Sequence, residues 1–405
     1  MNVQNQNQVS AGWGTILIIY MTCVLAAASI SQVVPIVGDI ARFFHASRQQ
    51  VGWIISLPSA LVAFGALLIG WVVDRVGDKP IMLLGIVLLI LGDMGVTLVG
   101  TMDALLAMRV VEGLGYDLVA VSTVTMIARV TTGKRRTTAL TLWSSFIPMS
   151  FVIYLMLAGF LAGTGRWRWA FSGHAAAMLV LGLAAISLPA AGRGAVISRS
   201  AGLSTVLRAP ACYALGVSFA CAAFVQTGVV STLPETLSSQ YGLSVPMAHS
   251  VGMFGMLCNI IGCLLMGWLM NRNFPRMALA QVSVVLSALA GIGIYMPGST
   301  AGITVVLALV FFLGSGLVVG LWALLPITAP TPASRGAASG LVTQITLWGV
   351  LFGPPAAFAA QAGGGASREM VNIAMALLLC GIMLWIVVRR APAPLASAGG
   401  VPAQH

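Results

Sequence analysis

Charge is what this sequence lacks: only 7% of its 405 residues are charged, while 59% are hydrophobic. Soluble domains carry roughly 25% charged residues, so a water-facing globule is excluded and the apolar excess must face lipid. Acids are scarcer still, nine against 20 Lys and Arg, leaving a formal net charge of +11. The bases fall in ones to fours between apolar runs, a pattern that orients membrane segments and does not suit nucleic acid. Ligand-like clusters are missing too. The six cysteines (Cys23, Cys212, Cys221, Cys258, Cys263 and Cys380) all lie in apolar stretches without C-x-x-C or Cys/His spacing. With four histidines, one at the extreme terminus, the chain offers no gathering of nucleophile, base or metal ligands. It is expected to be no enzyme and to hold no metal or cofactor.

Long apolar runs are abundant, and each spanning helix needs about 20 such residues. Runs bounded by charge, Gly or Pro predict spans near 13–37, 51–73, 81–100, 103–128, 138–163 and 169–190, then 209–233, 246–270, 277–297, 300–326, 337–361 and 370–388. The expected organisation is a cytoplasmic segment 1–11, a six-helix bundle 12–191, a basic linker 192–208 with Arg193, Arg199 and Arg208, a second six-helix bundle 209–390, and a disordered tail 391–405 rich in Ala, Pro and Gly. Met1 to Ala11 has no charged side chain and no small-residue cleavage site follows the first run, so the first span is expected to stay. Fourteen of the Lys and Arg outside the spans fall on the side that holds both termini, and five on the other. The positive side is cytoplasmic, which predicts cytoplasmic termini in an inner membrane.

The two halves echo each other. GWVVDRVGDKP from Gly70 and GWLMNRNFPR from Gly267 align Gly, Trp and Arg almost half a chain apart, as duplicated bundles would.

Gly70, Asp74, Arg75, Gly77 and Lys79 fit the pattern G-x-x-x-D-R-x-G-x-[RK] at the turn after the second span. Arg109, Gly113 and Gly115 fit R-x-x-x-G-x-G in the fourth, and Trp167-Arg168-Trp169 with Phe171 precedes the body of the sixth. With the twelve-span plan, these motifs resemble the major facilitator superfamily of transporters over about residues 12–390. Their nearest likeness is to the twelve-span drug and metabolite:proton antiporters. The resemblance implies an all-α fold of two pseudo-symmetric six-helix bundles and a central path lined by the first, fourth, seventh and tenth spans. It implies a latch role for Gly70, Asp74, Arg75, Gly77 and Lys79 in closing the cytoplasmic side. Physically, the Asp74 carboxylate could meet the positive N-terminal end of the eleventh helix near Arg335 and Gly336, with Gly70 permitting close approach. One departure is plain: Ile153 and Tyr154 stand where the antiporter branch carries a Gly-Pro element in the fifth span. That leaves uptake open beside export.

Ionisable groups inside a bilayer are costly and mark function. In the spans they are Asp93, Arg109, Glu112, Asp117 and His174, with Glu235 ending the seventh. Arg109, Glu112 and Tyr116 share a helical face, with Asp117 beside it. An Asp93–Arg109 or a Glu112–Arg109 pair would neutralise the guanidinium, and the acid left over, Glu112 or Asp117, would load and release protons. The competing reading is a structural charge cluster joining the third and fourth spans, and for Asp93 alone structural pairing is expected. His174 is expected at the interface. Tyr20, Gln32, Tyr116, Gln226, Thr227 and Trp322 are candidate substrate contacts on the cavity spans, with Asn259 and Gln344 flanking them.

The expected function is alternating-access transport of a small organic molecule, anionic or zwitterionic in character, by proton-coupled efflux as an antiporter. Proton-coupled uptake of a small metabolite is the alternative, and a non-transporting membrane sensor is the alternative of another class. The expected partners are the substrate, the proton and the lipid bilayer, with the chain acting as a monomer.

Overall fold

The computed structural model describes residues 11–190, 205–272, 274–328, 330, 335–363 and 365–390. The expected linker therefore lies mostly outside the described residues, as do residues 1–10 and the tail. The described residues are helical and short turns, with no strand among them. Joining helices interrupted by short breaks, they form α1 (Trp13–Phe44), α2 (48–76), α3 (Asp78–Leu98), α4 (Met102–Val130), α5 (133–161) and α6 (Trp167–Ala185). A second set follows as α7 (Pro210–Tyr241), α8 (Val245–Asn271), α9 (Arg276–Ile294), α10 (301–328), α11 (Arg335–Gly363) and α12 (Gly365–Arg390). Among the described residues, eight helices are long and apolar enough to cross a bilayer. A ninth counts if Thr138–Ser144 and Phe146–Ala158, bent by 47°, are one span. The helices overrun the expected spans at several ends, because hydropathy marks the part in hydrocarbon while hydrogen bonding carries the helix into the interface.

Apolar side chains cover the outside: Leu98 is 83% and Phe160 77% exposed, as expected of a surface solvated by lipid. Inside, glycines let helix backbones touch. A Cβ at Gly113 would stand 2.4 Å from the carbonyl oxygen of Pro58, and one at Gly115 would stand 2.8 Å from that of Gly85. These contacts seat α4 on α2 and α3.

Two of the helix breaks lie at proline. Pro58 restarts α2 after Leu57, and Pro35 sits in the 3-10 turn Val34–Ile36 of α1. Proline has no N–H, so each leaves a carbonyl one turn earlier without its helical donor.

The two halves meet through α2 against α11 and α5 against α8. A Cβ at Gly52 would lie 2.6 Å from Pro355 Cα, and one at Gly252 would lie 3.3 Å from Leu155. Because α8 is the repeat mate of α2 and α11 that of α5, the two contacts are one contact repeated. Both fall on the face that carries the α1–α2 and α7–α8 turns.

Candidate functional site

The intramembrane charges gather in the N-terminal half, in a cluster to which all six of its helices contribute. Arg109 on α4 is fully buried, with all three guanidinium nitrogens engaged. Nε donates 2.9 Å to the Ile54 carbonyl of α2, one terminal nitrogen pairs with Glu112, and the other donates to the Ser29 carbonyl of α1. The Ile54 carbonyl is the one whose helical donor Pro58 cannot supply. The guanidinium carbon also lies 6.0 Å from the Phe171 ring centroid of α6.

Asp93 on α3 does not pair with Arg109. Its Oδ1 accepts from Gln32 Nε2 at 3.2 Å, and its Oδ2 lies 2.7 Å from His174 Nδ1. His174 is thus buried between α3 and α1, against the interfacial place expected for it. Its Nε2 lies 2.8 Å from the Leu25 carbonyl, and the Tyr154 ring stands edge-on to the imidazole at 6.3 Å. A carbonyl oxygen can only accept, so Nε2 carries a hydrogen. One further proton must then lie between Nδ1 and Oδ2, on either partner, and the His174–Asp93 pair is neutral as a unit. The Arg109–Glu112 pair is neutral likewise. Of the two expected pairings for Arg109, Glu112 is the one made.

Asp117 is set apart. It is fully buried, and neither carboxyl oxygen has a hydrogen-bond partner. On the α2 side, a Cβ added at Gly65 would stand 3.8 Å from Asp117 Oδ2. Glu112 also keeps one oxygen, Oε1, without a partner.

The candidate substrate contacts are almost wholly enclosed in this structure. Tyr20 bonds its hydroxyl to Ser145 Oγ at 3.0 Å, Gln32 serves Asp93, and Tyr116 is 1% exposed. Thr227 turns its hydroxyl back to the Ala223 carbonyl, 2.7 Å, and Gln226 is buried beside it. Trp322 stacks on Phe219 at 5.0 Å, and Asn259 donates to Ser315 Oγ at 2.8 Å.

At the α2–α3 turn, Gly77 adopts φ +102, a conformation open to glycine and strained for other residues. A Cβ at Gly70 would meet no described atom within 4 Å. Lys79 Nζ donates to the Ile186 and Leu188 carbonyls at 2.6 and 2.8 Å, capping the end of α6. The side chains of Asp74, Arg75 and Arg335 lie outside the described residues. Beside the turn, Asp78 accepts from Arg129 Nε at 2.7 Å, an ion pair that the motif does not include.

Sequence reasoning missed His174 and Tyr154 as members of the charge cluster. His174 has no partner at a regular spacing because its partners come from α1 and α3. The available signal was its place as the one His inside the first six predicted spans, where a neutral ring with two polar nitrogens needs two partners.

The fold is a polytopic helical bundle with duplicated contacts between its halves and a sealed ionic cluster in the first of them. The chain belongs to the Major Facilitator Superfamily, whose family model matches residues 16–354. Among curated relatives, Azole resistance protein 1 of Saccharomyces cerevisiae is 26% identical over 42% of this chain and 28% of its own length. The chain spans only 21 to 28% of the length of several relatives it matches. The 3-(3-hydroxy-phenyl)propionate transporter of Escherichia coli is matched over most of its length, 25% identical over 87% of this chain and 88% of the relative. A solved bacterial homolog of the human lysosomal transporter Spinster, inward-facing and occupied, shares the fold at TM-score 0.70 and 18% identity, covering 93% of this chain and 95% of that one.

Proposed function

We propose that this chain couples proton movement to the transport of a small organic molecule, with Asp117 as the proton carrier and Arg109, Glu112, Asp93 and His174 as the neutral frame that holds α4 in place. The observation that carries the reading is the Asp117 carboxyl, buried with both oxygens unbonded on the helix that packs against α2. A proton can come and go there without breaking a hydrogen bond. α2 is also the helix that touches α11 across the two halves, so a change of charge at Asp117 acts where alternating access must move the molecule.

In this reading the bundles 12–191 and 209–390 rock about a site between Tyr20, Gln32, Tyr116, Gln226, Thr227 and Trp322. Both termini lie in the cytoplasm of an inner-membrane monomer, and the turn from Gly70 to Lys79 acts with Asp74 and Arg75 as the cytoplasmic latch. Export by antiport is the first reading, in keeping with the resistance proteins among the relatives. Uptake by symport of a small organic acid is the second, favoured by the match to the 3-(3-hydroxy-phenyl)propionate transporter over most of both chains. Arg109 is already neutralised by Glu112, so it adds nothing to the case for an anionic substrate.

The test is flux in proteoliposomes of purified chain. 3-(3-Hydroxyphenyl)propionate and a cationic drug are each offered with and without an imposed pH gradient of either sign. Gradient-dependent flux that Asp117→Asn removes supports the reading, and its sign assigns antiport or symport. Flux indifferent to the gradient, or intact in Asp117→Asn, overturns the proton role.

A further inference from the structure

Two helices of the C-terminal half end in the same surface pattern. On α8, Ile261 and Leu264 stand exposed, followed by Trp268, 52% exposed, and by Arg272 at the helix end. On α12 the order recurs as Leu378, Ile382, Trp385 at 42% exposed, and Arg389. Successive members are three or four residues apart, so each set is one stripe along one face of its helix. Each guanidinium carbon lies over its own indole, 5.1 Å from the ring centroid for Arg272 and 4.1 Å for Arg389.

Both stripes end at the same end of the bundle. Gln281 Nε2 of α9 donates to the Gly381 carbonyl of α12 at 3.1 Å, and a Cβ at Gly291 would lie 3.2 Å from Ile373, so α9 and α12 run antiparallel. Arg276, which opens α9, and Arg389 therefore lie at one end, within about one helical turn of each other in depth. Arg272 is joined to Arg276 through three residues, which allows at most about 14 Å between their Cα atoms. Arg390 adds a further cation beside Arg389.

Nothing acidic meets this charge. The second half holds only two acids, Glu235 and Glu369, which stand together on one cavity wall. Glu369 comes twenty residues before Arg389 on α12, about 30 Å of helix, which is the thickness of a bilayer core. Among the described residues, none of the Arg272, Arg276, Arg389 and Arg390 side chains donates a hydrogen bond or pairs with a carboxylate.

Topology asks only for positive charge at this end. It calls neither for an indole against the cation nor for aliphatic side chains in line below. A guanidinium lying on a ring keeps its edge N–H donors, which suit paired phosphate oxygens. From the bilayer core outward, aliphatic side chain, indole and guanidinium follow the order of acyl chain, ester and phosphate in a phospholipid. A soluble phosphate would meet the arginines and leave the rest of each stripe without a role. A zwitterionic lipid carries its own cation, whereas an anionic one offsets the unpaired arginines.

We infer that the end of the C-terminal bundle formed by α8, α9 and α12 is a binding site for anionic phospholipid, with phosphate held by Arg272, Arg276, Arg389 and Arg390 and acyl chains lying along the α8 and α12 stripes.

The full chain in detergent is titrated with phosphatidylglycerol and, separately, with phosphatidylcholine of the same acyl chains, and bound lipid is counted by native mass spectrometry. Saturable binding of phosphatidylglycerol is expected, about tenfold or more tighter than that of phosphatidylcholine. Arg272→Gln combined with Arg389→Gln is expected to weaken it by about tenfold or more. Arg166→Gln, at an arginine that also lies over a tryptophan but at the opposite end of the molecule, is expected to change nothing. Trp385→Leu leaves every charge in place and is expected to weaken binding by about threefold, because the ring that orients Arg389 is gone. The comparison of the two lipids on the unaltered chain needs no variant to fold. Equal binding of both lipids, unchanged binding in the double variant or in Trp385→Leu, or displacement of phosphatidylglycerol by an equal concentration of glycerol 1-phosphate overturns the site. No flux is measured, so failure here is distinct from failure of the proton-coupled reading.

Discussion

Arg109 donates from Nε to the carbonyl of Ile54 at 2.9 Å, and Ile54 is the residue whose helical donor is replaced by the ring of Pro58. The break in α2 and the guanidinium on α4 thus complete each other: the break supplies a bare acceptor, and the cation supplies the missing hydrogen bond. Gly113, on the same helix as Arg109, lets the Pro58 backbone come close enough for the bond to form.

Pro58→Ala restores an N–H that competes with Arg109 for the Ile54 carbonyl. Thermal stability in detergent is expected to stay within about 1 kcal/mol of wild type, since one hydrogen bond replaces another. Substrate flux is expected to fall as α2 straightens and withdraws Gly52 from Pro355. Unchanged flux would detach the break in α2 from transport.

Arg109→Ala leaves Glu112 as a buried charge without its partner and two carbonyls without their donor. Breaking a buried pair from one side costs about 3–5 kcal/mol. The variant is expected to give little folded protein in membranes, measured by size-exclusion yield. Arg109→Met with Glu112→Leu should recover much of that yield, because the uncompensated charge is gone.

His174→Ala removes the donor or acceptor at Asp93 Oδ2 and empties the space beneath Tyr154. The expected loss is about 1–3 kcal/mol, read as a lower melting temperature. The combined His174→Leu and Asp93→Leu variant is expected to lose less than the sum of the single changes, which a double-mutant cycle measures.

Asp117→Asn keeps the shape of the carboxyl and removes its exchangeable proton. Folded yield should match wild type, while substrate-driven proton movement in everted vesicles, followed with a pH-sensitive dye, is expected to vanish. Persistent proton movement would pass the role to Glu112, whose Oε1 is also unpartnered.

Lys79→Met tests whether the motif's cation at the turn serves closure or the end of α6. The capping geometry predicts a loss of about 0.3–1 kcal/mol in stability with flux retained. A collapse of flux at normal stability would favour the latch.

Much of the fold was legible because lipid imposes a simple rule on sequence: the scarcity of charge, the run lengths and the motif Gly70–Lys79 carried the helical membrane plan and the family. The same rule singled out Arg109, Glu112, Asp93 and Asp117, since an ion in hydrocarbon stands out wherever it lies in the chain. Which ion meets which was not legible. Glu112 took Arg109 because it lies one turn away on the same helix, whereas His174 reached Asp93 and Leu25 across three helices whose separation in sequence carries no phase information. The bare Ile54 carbonyl needed Pro58 to create it and α4 to fill it. Composition and periodicity report each helix against its solvent, and only the packing of helices against one another decides where hydrogen-bond donors and acceptors run out.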